Sequence, residues 1–356
     1  MRAVRYLPLL ATIPRSGTWF LRFAVSFLCH LERGGRITDR LTGRAYGDPK
    51  GALFDFSRFV GGPLFHVEGV LPNRYLFIGH TVCPGFTEAA SEISWWSATP
   101  FHVRGYDYFG DGWNYARVPV ELARWSPGRR LLRAWNDGLD CIRVDLPAIT
   151  RAAAHGPGPR AVLVYRDPVE QAASYFWYCR THKDSSYRYQ DGRDLADMSF
   201  EEYLLKYALV SYAKQFISFQ EMARRFPGRI MLLGYDELMS SPAFMLGAIL
   251  DHLGGAPRAR PLLADAVDLA RAEHLKAIEM ELGRSLDGNG ERRGHMRPDE
   301  LRGTDNAGLR SLAISGLAAL GVRTELLNAW HTTSPDSGKA HNGTRQESQI
   351  ASDLCQ

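Results

Sequence analysis

The stretch Leu9–Phe23, LLATIPRSGTWFLRF, runs from an apolar segment through Pro14-Arg15-Ser16-Gly17-Thr18 into an aromatic-rich segment with helical spacing. It reads as a buried strand, a small polar loop carrying one cation, and a helix. Such a turn presents unpaired backbone N–H groups at the positive end of a helix dipole, which is a ready anion site. Ser16 and Gly17 let the backbone approach a ligand closely. The Ser16 and Thr18 hydroxyls can donate hydrogen bonds, and Arg15 offers a guanidinium fork matched to phosphate oxygens. The loop lacks the first Gly and the Lys-[Ser/Thr] pair of GxxxxGK[ST], which reach the β- and γ-phosphates and Mg²⁺. It therefore fits a single phosphate without an obligatory metal and disfavours a nucleoside-triphosphate kinase.

Further apolar runs have the same character. Asn73–Gly79 (NRYLFIG) runs into His80-Thr81, Arg160–Tyr165 (RAVLVY) into Arg166-Asp167-Pro168, and Gly228–Tyr235 (GRIMLLGY) into Asp236-Glu237. Near-continuous apolar strands alternating with helical stretches predict a parallel sheet covered on both faces. Ligands gather at the carboxyl ends of such strands, where Arg15, His80, Arg166 and Tyr235 fall. Ser199-Phe200-Glu201-Glu202 is a capping box opening a long helix that stops at Pro227-Gly228. Ser241-Pro242 opens another, closed by Gly254-Gly255. Asp167-Pro168 starts a helix that carries Ser174, eight residues after Arg166, so Arg166 and Ser174 are candidates to converge on one anion.

The remaining chain bounds the reading. The 356 residues suffice for a well-buried core, and 45% hydrophobic with 23% charged residues is the content of a soluble globular protein. A balance of 43 basic against 39 acidic residues argues against a nucleic-acid binder and suits an enzyme with an anionic ligand. The five scattered cysteines (Cys29, Cys83, Cys141, Cys179, Cys355) form no CxxC pair, which predicts neither a disulfide framework nor a zinc site and points to a reducing, cytoplasmic setting. The apolar part of the N-terminus is interrupted by Arg5 and Pro8, unlike a signal peptide, and no run reaches membrane-spanning length. Residues 95–155 include a Trp-, Tyr-, Phe- and Gly-rich stretch without clear period, and 332–356 is polar and predicted to be disordered.

Taken together, IPRSGTWF, YRDPVEQAASYFWY and LLGYDELMSSPAFMLGAILDHLG resemble, in order and character, the sulfotransferases that use 3′-phosphoadenosine 5′-phosphosulfate (PAPS). The resemblance covers residues 5–25, 73–88 and 160–255, and more weakly 285–303. It implies an α/β fold in a single domain over 1–331, with a central parallel sheet flanked by helices, like that of P-loop NTPases. The aromatic-rich 95–155 insertion would be a lid or wall of the acceptor pocket. It also implies PAPS as co-substrate, no metal, no nucleic-acid partner, and a small-molecule, lipid or glycan acceptor. Oligomeric state stays open.

The resemblance implies residue roles as well. Arg15, Ser16, Gly17 and Thr18 would cradle the 5′-phosphate side of the donor, and Arg166 and Ser174 would hold the 3′-phosphate. Trp19 or Phe20 would lie near the adenine, with Phe20 at the stacking position, and Tyr235 sits where the family has an adenine-side tyrosine. Arg292, Arg293 and Gly294 resemble a basic-basic-Gly element that closes over the 3′-phosphate. His80, at a strand end with Pro84 shortly after it, resembles the family's catalytic base, with His66, His102 and Glu88 as competitors. The family commonly carries Lys where this chain has Arg15. Arginine stays protonated, so its help to the leaving group would be electrostatic. Two other readings stand beside this one: a P-loop small-molecule kinase, and a nucleotide-binding module without catalysis.

Overall fold

Leu9, Leu10 and Ala11 offer nothing polar beyond the backbone, and β1 (Leu9–Thr12) is buried at every position. That is the burial expected of a strand with a neighbour on each side and helices above and below. The computed structural model describes residues 8–59, 64–73, 75–80, 101–103, 118–119, 131–133, 141–144, 160–181, 187–189, 197–255, 257–286, 307–319 and 321–328.

Beyond β1 come α1 (Thr18–Glu32), β2 (Arg36–Thr38), β3 (Ala45–Gly47), β4 (Leu64–His66) and β5 (Tyr75–Gly79). Four short strands follow: β6 (Phe101–Val103), β7 (Val118–Pro119), β8 (Leu131–Arg133) and β9 (Cys141–Val144). Next are β10 (Ala161–Tyr165), α2 (Pro168–Thr181), β11 (Tyr187–Tyr189), α3 (Phe200–Tyr203), a π turn (Leu204–Ala208) and α4 (Leu209–Arg225). The described chain continues with β12 (Ile230–Gly234), α5 (Tyr235–Ser240), α6 (Pro242–His252), α7 (Leu263–Leu269), α8 (Ala272–Leu282) and α9 (Ala307–Ala319). These elements belong to a unit spanning Met1–Val322; α10 (Glu325–Asn328) belongs to a second, Arg323–Gln356.

The main sheet has the order β12–β10–β1–β5–β4. Its first four strands run parallel, with Leu10 opposite Val162 on one side and Ile78 on the other. Each predicted strand forms within its apolar run. The edge strand β4 is antiparallel to β5 and was not legible in the sequence. Its three residues are too few to show a period.

Alternate residues feed the two faces. Leu10, Ile78, Val162, Val164 and Leu233 share one apolar cluster with α1, α6, α7 and α8. On the other face, the Tyr165 ring meets Phe216 of α4 at 5.0 Å. Tyr212, Phe216 and Phe219 of α4 are buried at helical spacing, each such side chain contributing about 1.5–3 kcal/mol.

The sequence's helix signals act as read. Ser199 Oγ accepts the Glu202 N–H at 3.1 Å, and the helix it opens continues through the π turn to Arg225. At the end of α6, Gly254 takes φ +89°, and the N–H groups of Gly255 and Gly254 return to Leu250 O and Asp251 O, a Schellman stop. Within the 95–155 segment, β7, β8 and β9 form a small antiparallel sheet, and β6 pairs with β11. The rest of that segment, and the tail from 332, lie outside the described residues.

Candidate functional site

The four parallel strands end along one rim of the sheet. Just past them come Arg15 after β1, His80 after β5, Arg166 after β10 and Tyr235 after β12. The loop after β1 turns through two left-handed residues, Arg15 at φ +69° and Gly17 at φ +86°. A side chain in that region costs about 1–2 kcal/mol, so Arg15 is held there by its surroundings. Gly17 meets two demands at once, because a Cβ on it would also stand 3.1 Å from the Tyr235 ring. The Ser16 N–H closes the turn onto Ile13 O at 3.0 Å. The N-cap of α1 is Gly17, which supplies no capping side chain.

Ser16 is fully buried, and its Oγ has no hydrogen-bond partner among the described residues. A buried unpaired hydroxyl costs about 1–3 kcal/mol. An anion seated in the turn would satisfy it. A buried hydroxyl and the N–H groups of a helix start with glycine at its N-cap are features suited to an anion.

Two buried glutamines fasten the loop from behind. Gln171 Nε2 on α2 donates to Pro14 O at 2.9 Å, and Gln215 Nε2 on α4 donates to Thr12 O at 2.9 Å. Gln171→Leu is expected to lower stability by about 1–3 kcal/mol, because it leaves the Pro14 carbonyl buried and unpaired. Denaturant titration checks this; a loss below about 0.5 kcal/mol would mean that the carbonyl finds another donor.

His80 Nδ1 lies 2.8 Å from Thr12 O and 3.2 Å from Thr12 Oγ1, which itself is 2.7 Å from Thr18 Oγ1. Burial pushes the His80 pKa down to about 4, and the Arg22 and Arg15 cations add to the shift against the Thr12 carbonyl. At neutral pH the ring is therefore neutral. Its Nδ1–H donates to Thr12 O, which puts the lone pair on Nε2. Arg22 is placed by donating Nε and Nη2 to Ile78 O at 3.2 and 3.1 Å.

On the other side of β1, Asp167 Oδ1 caps α2 by accepting from the Val169 and Glu170 N–H groups. Tyr212 donates its hydroxyl to Arg166 O at 2.8 Å, fixing the backbone at the strand end. The Arg166 side chain donates Nε and Nη2 to Glu170 Oε2 at 3.2 and 2.8 Å and stacks 4.9 Å from the centre of the Tyr235 ring. Ser174 Oγ accepts from Arg15 Nε at 3.2 Å, and Arg15 also lies 4.8 Å from the Tyr178 ring centre. The hydrogen bonds thus tie Ser174 to Arg15 and Arg166 to Glu170. Tyr235 sits between the loop and Arg166 and touches both. In the first turn of α5, burial raises the pKa of Asp236, with Glu170 adding to it, and burial likewise raises that of Glu237.

Other candidates fall elsewhere. Trp19 packs against Phe23 and Phe59 with Arg22 over its ring, and Trp19 and Phe20 are both partly buried against the core cluster. His66 pairs with Tyr75 across β4 and β5, so it stands at the opposite end of β5 from His80 and contacts Arg33 and Glu68. His102 is opposite Arg188 in the β6–β11 pair. Glu88, Arg292, Arg293 and Gly294 lie outside the described residues. Among the described residues no cluster of three His, Cys, Asp or Glu side chains could hold a metal, and no helix is long and apolar enough to cross a membrane.

Sequence reasoning passed over Thr12, Gln171, Gln215, Tyr212 and Arg22. Thr12 and Gln171 left a trace, a lone polar residue closing an apolar strand and an amide one turn before Ser174. The others are joined to the site only by tertiary packing.

No protein-family model and no curated protein matches the chain. Solved structures similar to it include mouse sulfotransferase SULT7A1 complexed with PAP, at 12% identity over 93% of this chain and 90% of that one, with a TM-score of 0.46. Retinol dehydratase in complex with retinol and PAP is 14% identical over 95% and 85% of the two chains, with a TM-score of 0.40. The same enzyme with androsterone and PAP is 16% identical over 89% and 82%, also at 0.40.

Proposed function

We propose that this chain is a PAPS-dependent sulfotransferase acting on a hydroxyl or amine of a small-molecule, lipid or glycan acceptor. The observation that carries the reading is the turn after β1, with its buried, orphaned Ser16 hydroxyl, at the same rim as His80, Arg166 and Tyr235. PAPS supplies the activated sulfuryl group and a leaving bisphosphate. The Ser16 and Thr18 hydroxyls and the N–H groups at the start of α1 hold the 5′-phosphate side, and Gly17 gives it room. Arg15 stabilises charge on the leaving bridge oxygen electrostatically, since a guanidinium keeps its proton. Arg166 takes the 3′-phosphate, and Tyr235, beneath it, orients the adenine. His80 Nε2 takes the acceptor's proton while Thr12 O holds Nδ1–H, so the ring presents the required tautomer.

Calorimetric titration with adenosine 3′,5′-bisphosphate (PAP), ADP and ATP tests the reading. Preferential binding of PAP, weakened at least about tenfold in Arg166→Ala, is expected from the loss of a charge-assisted fork. Equal or tighter binding of ATP would remove the 3′-phosphate assignment and with it the proposal. Tight PAP binding without transfer to any acceptor from PAPS would leave a nucleotide-binding module.

A further inference from the structure

At the end of β10 a single carboxylate holds two guanidinium groups. Glu170 Oε2 accepts from Arg166 Nε and Nη2, while Glu170 Oε1 accepts from Arg310 Nη2 at 3.2 Å. Arg310 arrives from α9, far along the chain, and its Nε lies 3.5 Å from Asp167 Oδ2. That Nε is buried and makes no hydrogen bond among the described residues, so Arg310 has donor capacity that its present contacts do not use. Asp167 cannot take up the slack well, because its other oxygen is committed to capping α2. Among the described residues the other ionisable neighbours include Tyr235, under Arg166, Tyr212, whose hydroxyl donates to Arg166 O, and Asp236, whose carboxyl feels Glu170, Arg166, Asp167 and Arg310.

Arg166 and Arg310 face the carboxyls of Asp167, Glu170 and Asp236, so the cluster offers an anion no net positive charge. An anion arriving at Arg166 therefore meets an Nε–Nη2 edge already donating to Glu170 Oε2, and it must compete with a charge-assisted ion pair. The side chains of Arg166, Glu170 and Arg310 keep 20, 30 and 37% of their surface exposed, so the exchange is open to a ligand. A ligand hydroxyl cannot replace a carboxylate in a guanidinium fork, whereas a phosphate dianion can.

We propose that Glu170 and Arg310 tune the site's affinity for a 3′-phosphorylated nucleotide: the 3′-phosphate displaces Glu170 from Arg166, and Arg310 keeps the displaced carboxylate. This rests on the reading of Arg166 as the 3′-phosphate site. Glu170 is then a competitor that costs a 3′-phosphorylated nucleotide part of its affinity and leaves a nucleotide with a bare 3′-hydroxyl unaffected. Arg310 is a positioning residue that acts through Glu170 and does not touch the ligand.

The test is a double-mutant cycle on the full chain, with PAP and AMP as probes because they differ only in the 3′-phosphate. Glu170→Gln, which removes the competitor's charge, is expected to tighten PAP about tenfold and to change AMP by less than about twofold. Arg310→Gln leaves Arg166 as the sole guanidinium partner of Glu170, so PAP should weaken about fivefold. In the Glu170→Gln background the same Arg310 change should cost less than about twofold. An Arg310→Gln loss of equal size in both backgrounds overturns the proposal, because Arg310 would then be acting on the ligand directly. So does a PAP-to-AMP ratio left unchanged by Glu170→Gln in a protein that still prefers PAP. A wild-type protein that binds PAP and AMP equally removes the 3′-phosphate reading itself, and the exchange with it. Retained AMP binding in each variant identifies a folded site.

Discussion

Replacing Arg15 is expected to lower sulfuryl-transfer turnover by about 10²–10³-fold, the loss of about 2.7–4 kcal/mol seen when a single pre-organised donor is removed from developing transition-state charge. Affinity for PAP should fall much less, because the stabilised charge develops only as the bridge bond breaks. The backbone makes the choice of substitution informative. Arg15 sits at φ +69°, so Arg15→Ala keeps the strained left-handed residue and loses the bonds to Ser174 and Tyr178. Arg15→Gly loses the same contacts but relieves the strain, and should be about 1 kcal/mol more stable than the alanine variant at equal loss of activity. Arg15→Lys restores a cation that can also release a proton, and should recover most of the turnover. Single-turnover rates with PAPS and equilibrium unfolding of the three variants are the measurements. Turnover within tenfold of wild type in Arg15→Ala would show that charge on the leaving group is stabilised elsewhere.

The parts of this site that could be read in the sequence are those where chemistry and position coincide along the chain. Apolar runs ending in Arg15, His80, Arg166 and Tyr235 announce four parallel strands and place their ends at one rim, because a strand covered on both faces leaves no polar period to misread. The Arg166–Glu170 pair was also available in principle, four residues apart across the strand-to-helix turn. What could not be read is pairing between elements distant in sequence. Ser174 stands eight residues from Arg166, yet its hydroxyl meets Arg15, 159 residues away in the chain. Gln215, Tyr212 and Arg310 reach the site from helices whose sequences show only an apolar face. The antiparallel β4 escaped for a different reason, since a three-residue edge strand carries too little pattern to separate from a loop.

His80→Asn should remove about 10²–10⁴-fold of the turnover, the usual contribution of general-base catalysis. Its amide nitrogen can keep the bond to Thr12 O that Nδ1 makes, so the loss would belong to Nε2 alone. The pH behaviour gives a second, independent readout. With its pKa held down to about 4, mainly by burial, the ring stays neutral in the free protein from neutrality to near pH 5, so the acid limb of kcat/KM should lie well below the ordinary histidine range. Bound PAPS, a polyanion, stabilises the imidazolium and raises that pKa, so the acid limb of kcat should fall at higher pH than that of kcat/KM. Stability follows the same group with a definite sign. Below pH 6.5 the unfolded chain protonates His80 while the folded protein does not until about pH 4, so the native state loses stability as pH falls between those values. His80→Asn should flatten that part of the stability curve. Rate profiles and denaturant titrations from pH 4 to 8 measure both. An unchanged acid limb in the asparagine variant, with turnover above about a tenth of wild type, would move the base to another residue and leave His80 as a strut under the loop.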